Sequence, residues 1–338
     1  MSYDVVAVGE LLADLAETGK NEAGYPVFSA NPGGAPANFL AALAHLGKRT
    51  ALIGKVGCDA FGDRLIGTLE EAGIGTAGIL RDPEVFTTLA FVTLDETGDR
   101  SFSFARKPGA DMMLRKEEIP FGMIDEARVL HFGTLSLTDE PARSATKAAV
   151  AYAKEHGKFI TFDPNYRAPL WASEEAAKEQ MLWGLDQADM VKMSLEEAQL
   201  LWGCGCTAMQ AADRLVKEMG KTFVYVTMGG DGACFESRGE RGYVSYKGEL
   251  QVTDTTGAGD IFGGTALSVL LDAHVDSGES RGEGSGAPGE ARPPSLTAAV
   301  YACAAASLSV ERRGGITSVP ARPEIERHLE FVRISITD

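Results

Sequence analysis

The chain has 338 residues, with 32 basic against 48 acidic side chains and a formal net charge of −16. That balance argues against nucleic acid as a partner, because a phosphate backbone needs a basic face. It leaves a nucleotide ligand open, since backbone N–H groups, a few cations and Mg²⁺ can meet such a charge locally. With 44% hydrophobic and 24% charged residues, the composition supplies a globular core large enough for one α/β domain or two smaller ones. No segment approaches the roughly 18 uninterrupted apolar residues of a membrane span, and the N-terminus lacks the basic region of a signal peptide. The five cysteines, Cys58, Cys204, Cys206, Cys234 and Cys303, are scattered, and Cys204-Gly205-Cys206 lacks the second pair of a zinc site. They read as reduced thiols in a soluble cytoplasmic protein with no membrane partner.

Taken in order, Val5–Val8 is a short apolar run ending at Gly9, the pattern of a strand buried on both faces. Asp14 then lies just past the carboxyl end of a central strand, where open α/β sheets collect ligands. It is a candidate for holding a polar substrate, and otherwise a solvated loop carboxylate. Asn31-Pro32-Gly33-Gly34-Ala35-Pro36-Ala37-Asn38 opens a small-residue helix that stops at Gly47. Asn38 offers both a donor and an acceptor, as a sugar hydroxyl requires, whereas His45 reads as a packed residue. A strand at Thr50–Gly57 and a helix from Asp59 to about Ala72 follow.

Between Phe86 and Phe104 the period changes to alternation. Thr87–Leu94 and Arg100–Phe104 flank Asp95-Glu96-Thr97-Gly98-Asp99, a hairpin signature. With Tyr25–Ser29 this predicts a small sheet separate from the main one, a lid. Strands at Val129–Gly133, Phe159–Phe162, Met190–Met193 and Phe223–Thr227 then alternate with helices at Pro141–His156, Glu174–Leu185, Leu195–Leu201 and Ala208–Met219. Regular βα alternation predicts a mostly parallel sheet with helices on both faces. The polar cluster Asp163-Pro164-Asn165-Tyr166-Arg167 and the Gly-rich turn Met228–Gly232 both sit at strand ends. Residues 276–294, rich in Gly, Ser, Glu and Pro, cannot bury a core and read as a flexible loop inserted between two helices. The second of these helices is the Ala-rich run Leu296–Val310.

Asp254-Thr255-Thr256-Gly257-Ala258-Gly259-Asp260 carries the densest chemistry. Two closely spaced glycines allow a tight turn and close approach of successive N–H groups to a ligand. The apolar run that follows reads as a buried helix, so the turn combines unpaired N–H groups with the positive end of a helix, which suits an anion. Asp260, in the first turn, could take a proton from a hydroxyl while those N–H groups hold developing phosphoryl charge. The plainer alternative is an ordinary helix start with a favourable first-turn acid. Gly263-Gly264 tilts the balance: each helix glycine costs roughly 0.5–1 kcal/mol relative to Ala, so a pair implies close packing or ligand approach.

The Gly33-Gly34…Asn38 loop and the Asp254–Asp260 stretch together resemble the two signatures of the PfkB, or ribokinase-like, carbohydrate kinases, and the resemblance covers essentially the whole chain. It implies a ribokinase-like α/β fold, a three-layer αβα core with a mostly parallel sheet plus a small β-sheet lid. It also implies a single kinase domain over residues 1–338, with a lid from about 10–32 and 85–108. The activity implied is ATP-dependent phosphorylation of a sugar. Asp260 would be the base, and the N–H groups of Gly257, Ala258 and Gly259 the anion hole. Asp14, Gly33, Gly34 and Asn38 would hold the sugar, while Thr227, Gly229 and Gly232, with Lys192, would lie along ATP. Asp254 and Thr256 would belong to a monovalent-cation site, typically K⁺, and Glu197 would serve Mg²⁺ and phosphate indirectly.

Within the family, Arg100–Leu114 and Asp163–Trp171 look most like fructokinases, which implies transfer to the 6-hydroxyl of D-fructose, with Arg106 and Arg167 approaching the sugar or phosphoryl group. A 2-keto-3-deoxygluconate kinase shares parts of the pattern, and other sugar or nucleoside kinases share the fold. A non-catalytic sugar- or nucleotide-binding regulator is the reading from a different class. Two departures stand out. The family's Asn-x-x-Glu element is Ser194-Leu195-Glu196-Glu197 here, and the 276–294 insertion falls near the expected adenine pocket, which leaves the nucleotide open. An alternating lid has a second face to cover, which favours a homodimer joined through it.

Overall fold

The computed structural model describes residues 2–94, 100–273 and 294–337. The expected turn Asp95–Asp99 and nearly all of the expected 276–294 loop lie outside those residues. In chain order the elements are β1 (Val5–Val8), β2 (Leu12–Lys20), β3 (Pro26–Gly33), α1 (Ala35–His45), β4 (Thr50–Gly57), α2 (Ala60–Glu71), β5 (Ile74–Asp82), β6 (Leu89–Leu94) and β7 (Arg100–Ala105). There follow α3 (Phe121–Asp125), β8 (Val129–Gly133), α4 (Ala142–Glu155), β9 (Phe159–Asp163), α5 (Glu174–Gln187), β10 (Met190–Ser194), α6 (Leu195–Trp202) and α7 (Ala208–Asp213). The chain closes with β11 (Phe223–Thr227), β12 (Ala233–Ser237), β13 (Glu240–Tyr246), α8 (Ala258–Asp272), α9 (Pro294–Ser309), α10 (Arg322–His328) and β14 (Val332–Ile336).

Among the described residues the main sheet has 10 strands in the order β14-β13-β12-β11-β10-β9-β8-β1-β4-β5. The run from β11 to β5 is parallel and the β11–β14 end is antiparallel. Strand alternation builds the layers. Val5 and Ala7 of β1, with Phe223 and Tyr225 of β11, pack against the side carrying α1, α2, α8 and α9. Val6, Val8, Val224 and Val226 pack against α4, α5 and α7 on the other. Each fully buried Val or Leu contributes about 1.5–3 kcal/mol, so reversing a strand's register would move its whole apolar set to the wrong face. β5 and the strands β12–β14 carry no clean alternation that would mark them in the sequence.

A separate sheet, in the order β3-β2-β6-β7, forms the lid. β2 runs antiparallel to β3 and parallel to β6, and β6 and β7 are antiparallel. Asp14 therefore sits within a lid strand, opposite Asn31, not on a loop past β1. Other expectations also shift. His45 is exposed in the last turn of α1, where a basic ring suits the helix's negative end. The predicted helix Ala208–Met219 is helical only to Asp213 and then widens into a π-helical turn over Arg214–Glu218. The Gly263-Gly264 pair is explained by packing: a Cβ on Gly264 would lie 2.9 Å from the Ala42 Cβ and one on Gly263 3.3 Å from the Phe39 ring. These glycines let α8 seat directly on α1.

Candidate active site

The carboxyl ends of β9, β10 and β11, the start of α8 and the inner face of the lid enclose a cleft of about 890 Å³. At its centre is the turn into α8. Gly257 adopts φ 75°, and a Cβ there would lie 2.8 Å from the Gly315 Cα, so glycine is required both for conformation and for space. The preceding loop is pinned by Asp254. Its Oδ1 accepts from the Thr256 N–H at 2.9 Å and hydroxyl at 2.7 Å, and its Oδ2 from the Gly314 N–H at 2.9 Å. Among the first-turn N–H groups of α8, that of Ala258 donates to the Thr255 carbonyl over a long 3.4 Å; a helix start leaves such groups without an intrahelical carbonyl, and the helix dipole adds positive potential at the same point.

Asp260 lies in that first turn, only 6% exposed. Asn38 Nδ2 donates to its Oδ2 at 2.9 Å and Asn165 Nδ2 to its Oδ1 at 3.1 Å. Burial pushes its carboxyl above the usual range, opposed by Lys192, the two amides and Arg167. Lys192 comes from β10, on the face that meets α8. Its Nζ pairs with Asp163 Oδ2 at 3.0 Å, both side chains being nearly inaccessible. Burial alone would pull this ammonium down, but Asp163, Glu197 and Asp260 outweigh it and hold the proton on. A Cβ on Gly259 would stand 2.7 Å from Lys192 Nζ. A fixed positive charge thus lies directly beneath the start of α8, beside a carboxylate able to accept a proton.

On the lid side, Leu12, Asp14, Ser29, Asn31, Ala90 and Phe104 face the cleft. A Cβ on Gly33 would collide with the Asp14 carboxylate, so this glycine makes room for it. Gly34, at φ 118°, opens α1 close against the Glu10 carbonyl. Burial pushes Asp14 up to about 7, against the pull of Arg167 and with the Asp254 and Asp260 charges adding to the rise. At the opposite end, Thr227, Gly229, Gly230 and Gly232 edge the cleft beside Tyr246, Val252 and Ala306.

The family match rests on nearly the whole of this arrangement: residues 2–322 fit the model described as pfkB family carbohydrate kinase. The chain belongs to that family. This kinase is 38% identical to the probable fructokinase-4 of Arabidopsis thaliana over 328 residues, 96% of each chain. It is 38% identical to fructokinase-1 of Oryza sativa subsp. japonica, covering 96% of this chain and 97% of the relative. Among solved structures, the fructokinase of Xylella fastidiosa with bound ATP superposes with a TM-score of 0.84 at 30% identity, covering 98% and 99% of the two chains. The fructokinase of Vibrio cholerae O395 in its fructose, ADP and calcium ion bound form superposes at 0.81, also at 30% identity, over 97% and 100%. The fold is that of a carbohydrate kinase, and among the described residues no helix is long and apolar enough to cross a membrane.

Most residues singled out from the kinase's sequence line one cleft: Asp14, Gly34, Asn38, Arg167, Lys192, Glu197, Thr227, Gly229, Gly232, Asp254, Thr256 and Gly257–Asp260. Gly33, which lies behind the Asp14 carboxylate, and Arg106 do not join them. The Arg106 guanidinium is buried, with Nε on Asp111 Oδ2 at 2.8 Å, Nη1 on the Thr138 hydroxyl at 2.9 Å and Nη2 on the Leu135 carbonyl at 2.9 Å. The reason is its position at the lid-to-core handover, where Asp111 supplies an internal counter-charge; it braces the wall instead of facing the cleft. Glu197 is also more engaged than expected. Its Oε1 accepts from the Tyr166 N–H and its Oε2 from the Ser194 N–H, both at 2.8 Å, while Ser194 Oγ accepts from the Glu197 N–H at 3.1 Å. The serine replacing the family's asparagine is therefore half of a capping box that starts α6. Two further residues join the site, Asn165 and Glu10. Glu10 Oε1 accepts from the Ala35 N–H at 3.0 Å, and burial pushes this carboxyl up to about 7. Their one sequence signal was position at the carboxyl end of a strand.

Proposed function

We propose that this kinase transfers the γ-phosphoryl group of ATP to the 6-hydroxyl of D-fructose. The observation that carries the reading is Asp260, held by Asn38 in the first turn of α8 beside the glycine turn Gly257-Ala258-Gly259. Asp14, Gly33, Gly34 and Asn38 hold the sugar, with Arg167 at the rim. Asp260 takes the hydroxyl proton as the oxygen attacks. The N–H groups of Gly257, Ala258 and Gly259, with the Lys192 ammonium beneath them, bear the charge that develops on the transferring group. Thr227, Gly229 and Gly232 lie along the nucleotide; a Cβ on Gly229 would meet nothing within 4 Å, which leaves room for a phosphate chain, whereas Gly232 is glycine because a Cβ there would run into the Val244 carbonyl of β13. The lid excludes water from the transfer.

Mg²⁺ neutralises phosphate charge when bound, and a monovalent cation such as K⁺ stiffens the anion hole. The residues fit both. Mg²⁺ keeps waters and few carboxylates, so Glu197, with its oxygens already accepting the Tyr166 and Ser194 N–H groups, would act on it through water. Asp254 and Thr256 offer hard oxygens on the loop that leads into the anion hole, as an alkali cation needs. The relatives named fructokinases favour fructose, and five free thiols favour a reducing, cytoplasmic compartment. Two copies pair through the lid, where Tyr25, just before β3, and Val27 on β3 are 68% and 43% exposed. Val27→Asp would shift a dimer to monomer in light scattering.

The test is ADP release with Mg-ATP and K⁺ against fructose, 2-keto-3-deoxygluconate, ribose, glucose and adenosine. Turnover on fructose far above the others is expected. Turnover on the keto-deoxy acid would overturn the sugar while keeping Asp260, and silence on all with ATP bound would favour a regulator. Asp260→Asn should lower turnover by about 10²–10⁴ with sugar binding retained.

A further inference from the structure

We infer that Asn165 is a positioning residue for the catalytic base: with Asn38 it forms a pair of amides that fixes the Asp260 carboxylate, one N–H on each oxygen. This rests on the reading of Asp260 as the base. Asn165 sits in the loop after β9, with φ 47°, the one left-handed residue other than glycine among the described residues. Such a conformation is costly for most side chains and least so for Asn, Asp and Gly. The strain has a visible result. Across four consecutive residues, Asp163 at the end of β9 pairs with Lys192, the Pro164 carbonyl accepts from the Thr134 N–H, the Asn165 amide donates to Asp260 and the Tyr166 N–H donates to Glu197. A regular backbone could not aim consecutive residues at β8, α8 and α6 in turn.

The second member of the pair approaches from the opposite side. Asn38 is 4% exposed and comes from α1, and Gly315 and Gly257 leave space around its amide, where a Cβ on Gly257 would lie 3.1 Å from Nδ2. With one oxygen held from the β9 loop and the other from α1, the carboxylate cannot rotate about its Cβ–Cγ bond without breaking a hydrogen bond. Its remaining lone pairs are thus aimed for a substrate hydroxyl before the sugar arrives. Both amides donate to the charged form, so they also favour ionisation. Lys192 from β10 and Arg167 from the loop act in the same direction, while Asp163 from β9 and Asp14 from β2 bring negative charge toward the base.

The test is the pH dependence of kcat for three variants beside the parent. Asn165→Gly keeps the left-handed backbone and removes only the donor. Its kcat should fall about 10- to 100-fold, the acidic limb should move to higher pH, and fructose and ATP KM should change less than about threefold. Asn165→Asp keeps the shape but faces Asp260 with a second carboxylate, and should move the limb further in the same direction. Asp260→Asn checks the underlying reading. If it is inactive while Asn165→Gly shows an unmoved limb and kcat within twofold of the parent, the positioning role is wrong and the base stands. If Asp260→Asn itself stays within a few-fold of the parent, both the base and its positioning residue are overturned. A misfolded Asn165→Gly would be recognised by its thermal transition, and Asn165→Asp then decides: an unmoved limb refutes the role.

Discussion

Gly259→Ala separates the chemistry of the α8 turn from its stability. The added Cβ would stand 2.7 Å from Lys192 Nζ, closer than real Cβ contacts permit. The ammonium is the end of a flexible side chain, but it is held at 3.0 Å by Asp163, with both side chains nearly inaccessible. It must therefore move by several tenths of an ångström, away from the anion hole, or tilt the first turn of α8. Gly259 has no left-handed backbone to lose, and an Ala in a helix gains about 0.5–1 kcal/mol over Gly. Folding stability should thus change little, while the hole loses aligned positive charge and the new methyl crowds the approach of a phosphoryl oxygen. Loss of one oxyanion donor costs about 10²–10³ in kcat, and a comparable fall is expected here. Steady-state kinetics with Mg-ATP and fructose, paired with a thermal melt, would measure it. Gly67→Ala in α2, where a Cβ meets nothing within 4 Å, is the control, expected to be slightly stabilised with unchanged turnover. A Gly259→Ala enzyme with kcat within threefold of the parent would refute the assignment of Lys192 and the turn to the anion hole.

The two arginines singled out together should behave differently. Arg106→Ala leaves Asp111 buried without its counter-charge and should cost about 3–5 kcal/mol in chemical denaturation; Arg167→Ala should leave stability within about 0.5 kcal/mol and instead raise fructose KM or lower kcat. The reverse pattern would place Arg106 at the substrate. Gly264→Ala must open the α1–α8 contact against Phe39 and Ala42. Overpacking costs about 1–3 kcal/mol, less the helix gain of about 0.5–1 kcal/mol for Ala, so a net loss seen as a lowered Tm is expected, and an unchanged Tm would contradict the packing role. Asp14 is pushed up to about 7, so its charged form is present above that pH and lost as pH falls through it. If it accepts a sugar hydroxyl, fructose KM should rise roughly tenfold between pH 8 and 6 as the ionised fraction falls, whereas Asp14→Asn should be high and flat.

Much of the fold could be read locally because its signals are local. Buried parallel strands such as Val5–Val8 are continuous apolar runs, and the turn into α8 is spelled by Gly257, Gly259 and Asp260 in sequence. The lid hairpin announced itself by alternation. What stayed hidden depends on partners distant in the chain. Lys192 looks like an oddity in an apolar strand until Asp163 and the start of α8 fold around it. Arg106 looks like a substrate ligand until Asp111 and Thr138 take up its donors. Asn165 is marked in sequence only as one member of a polar cluster at a strand end, and its task exists only because Asp260, 95 residues later, comes to lie across from it. Composition and hydrophobic period determine which segments become strands and helices, and Gly-rich turns mark where a ligand's charge can be met. Which polar groups face each other is decided by tertiary packing, because burial removes water as the alternative partner and makes each donor's choice of acceptor a property of the whole fold.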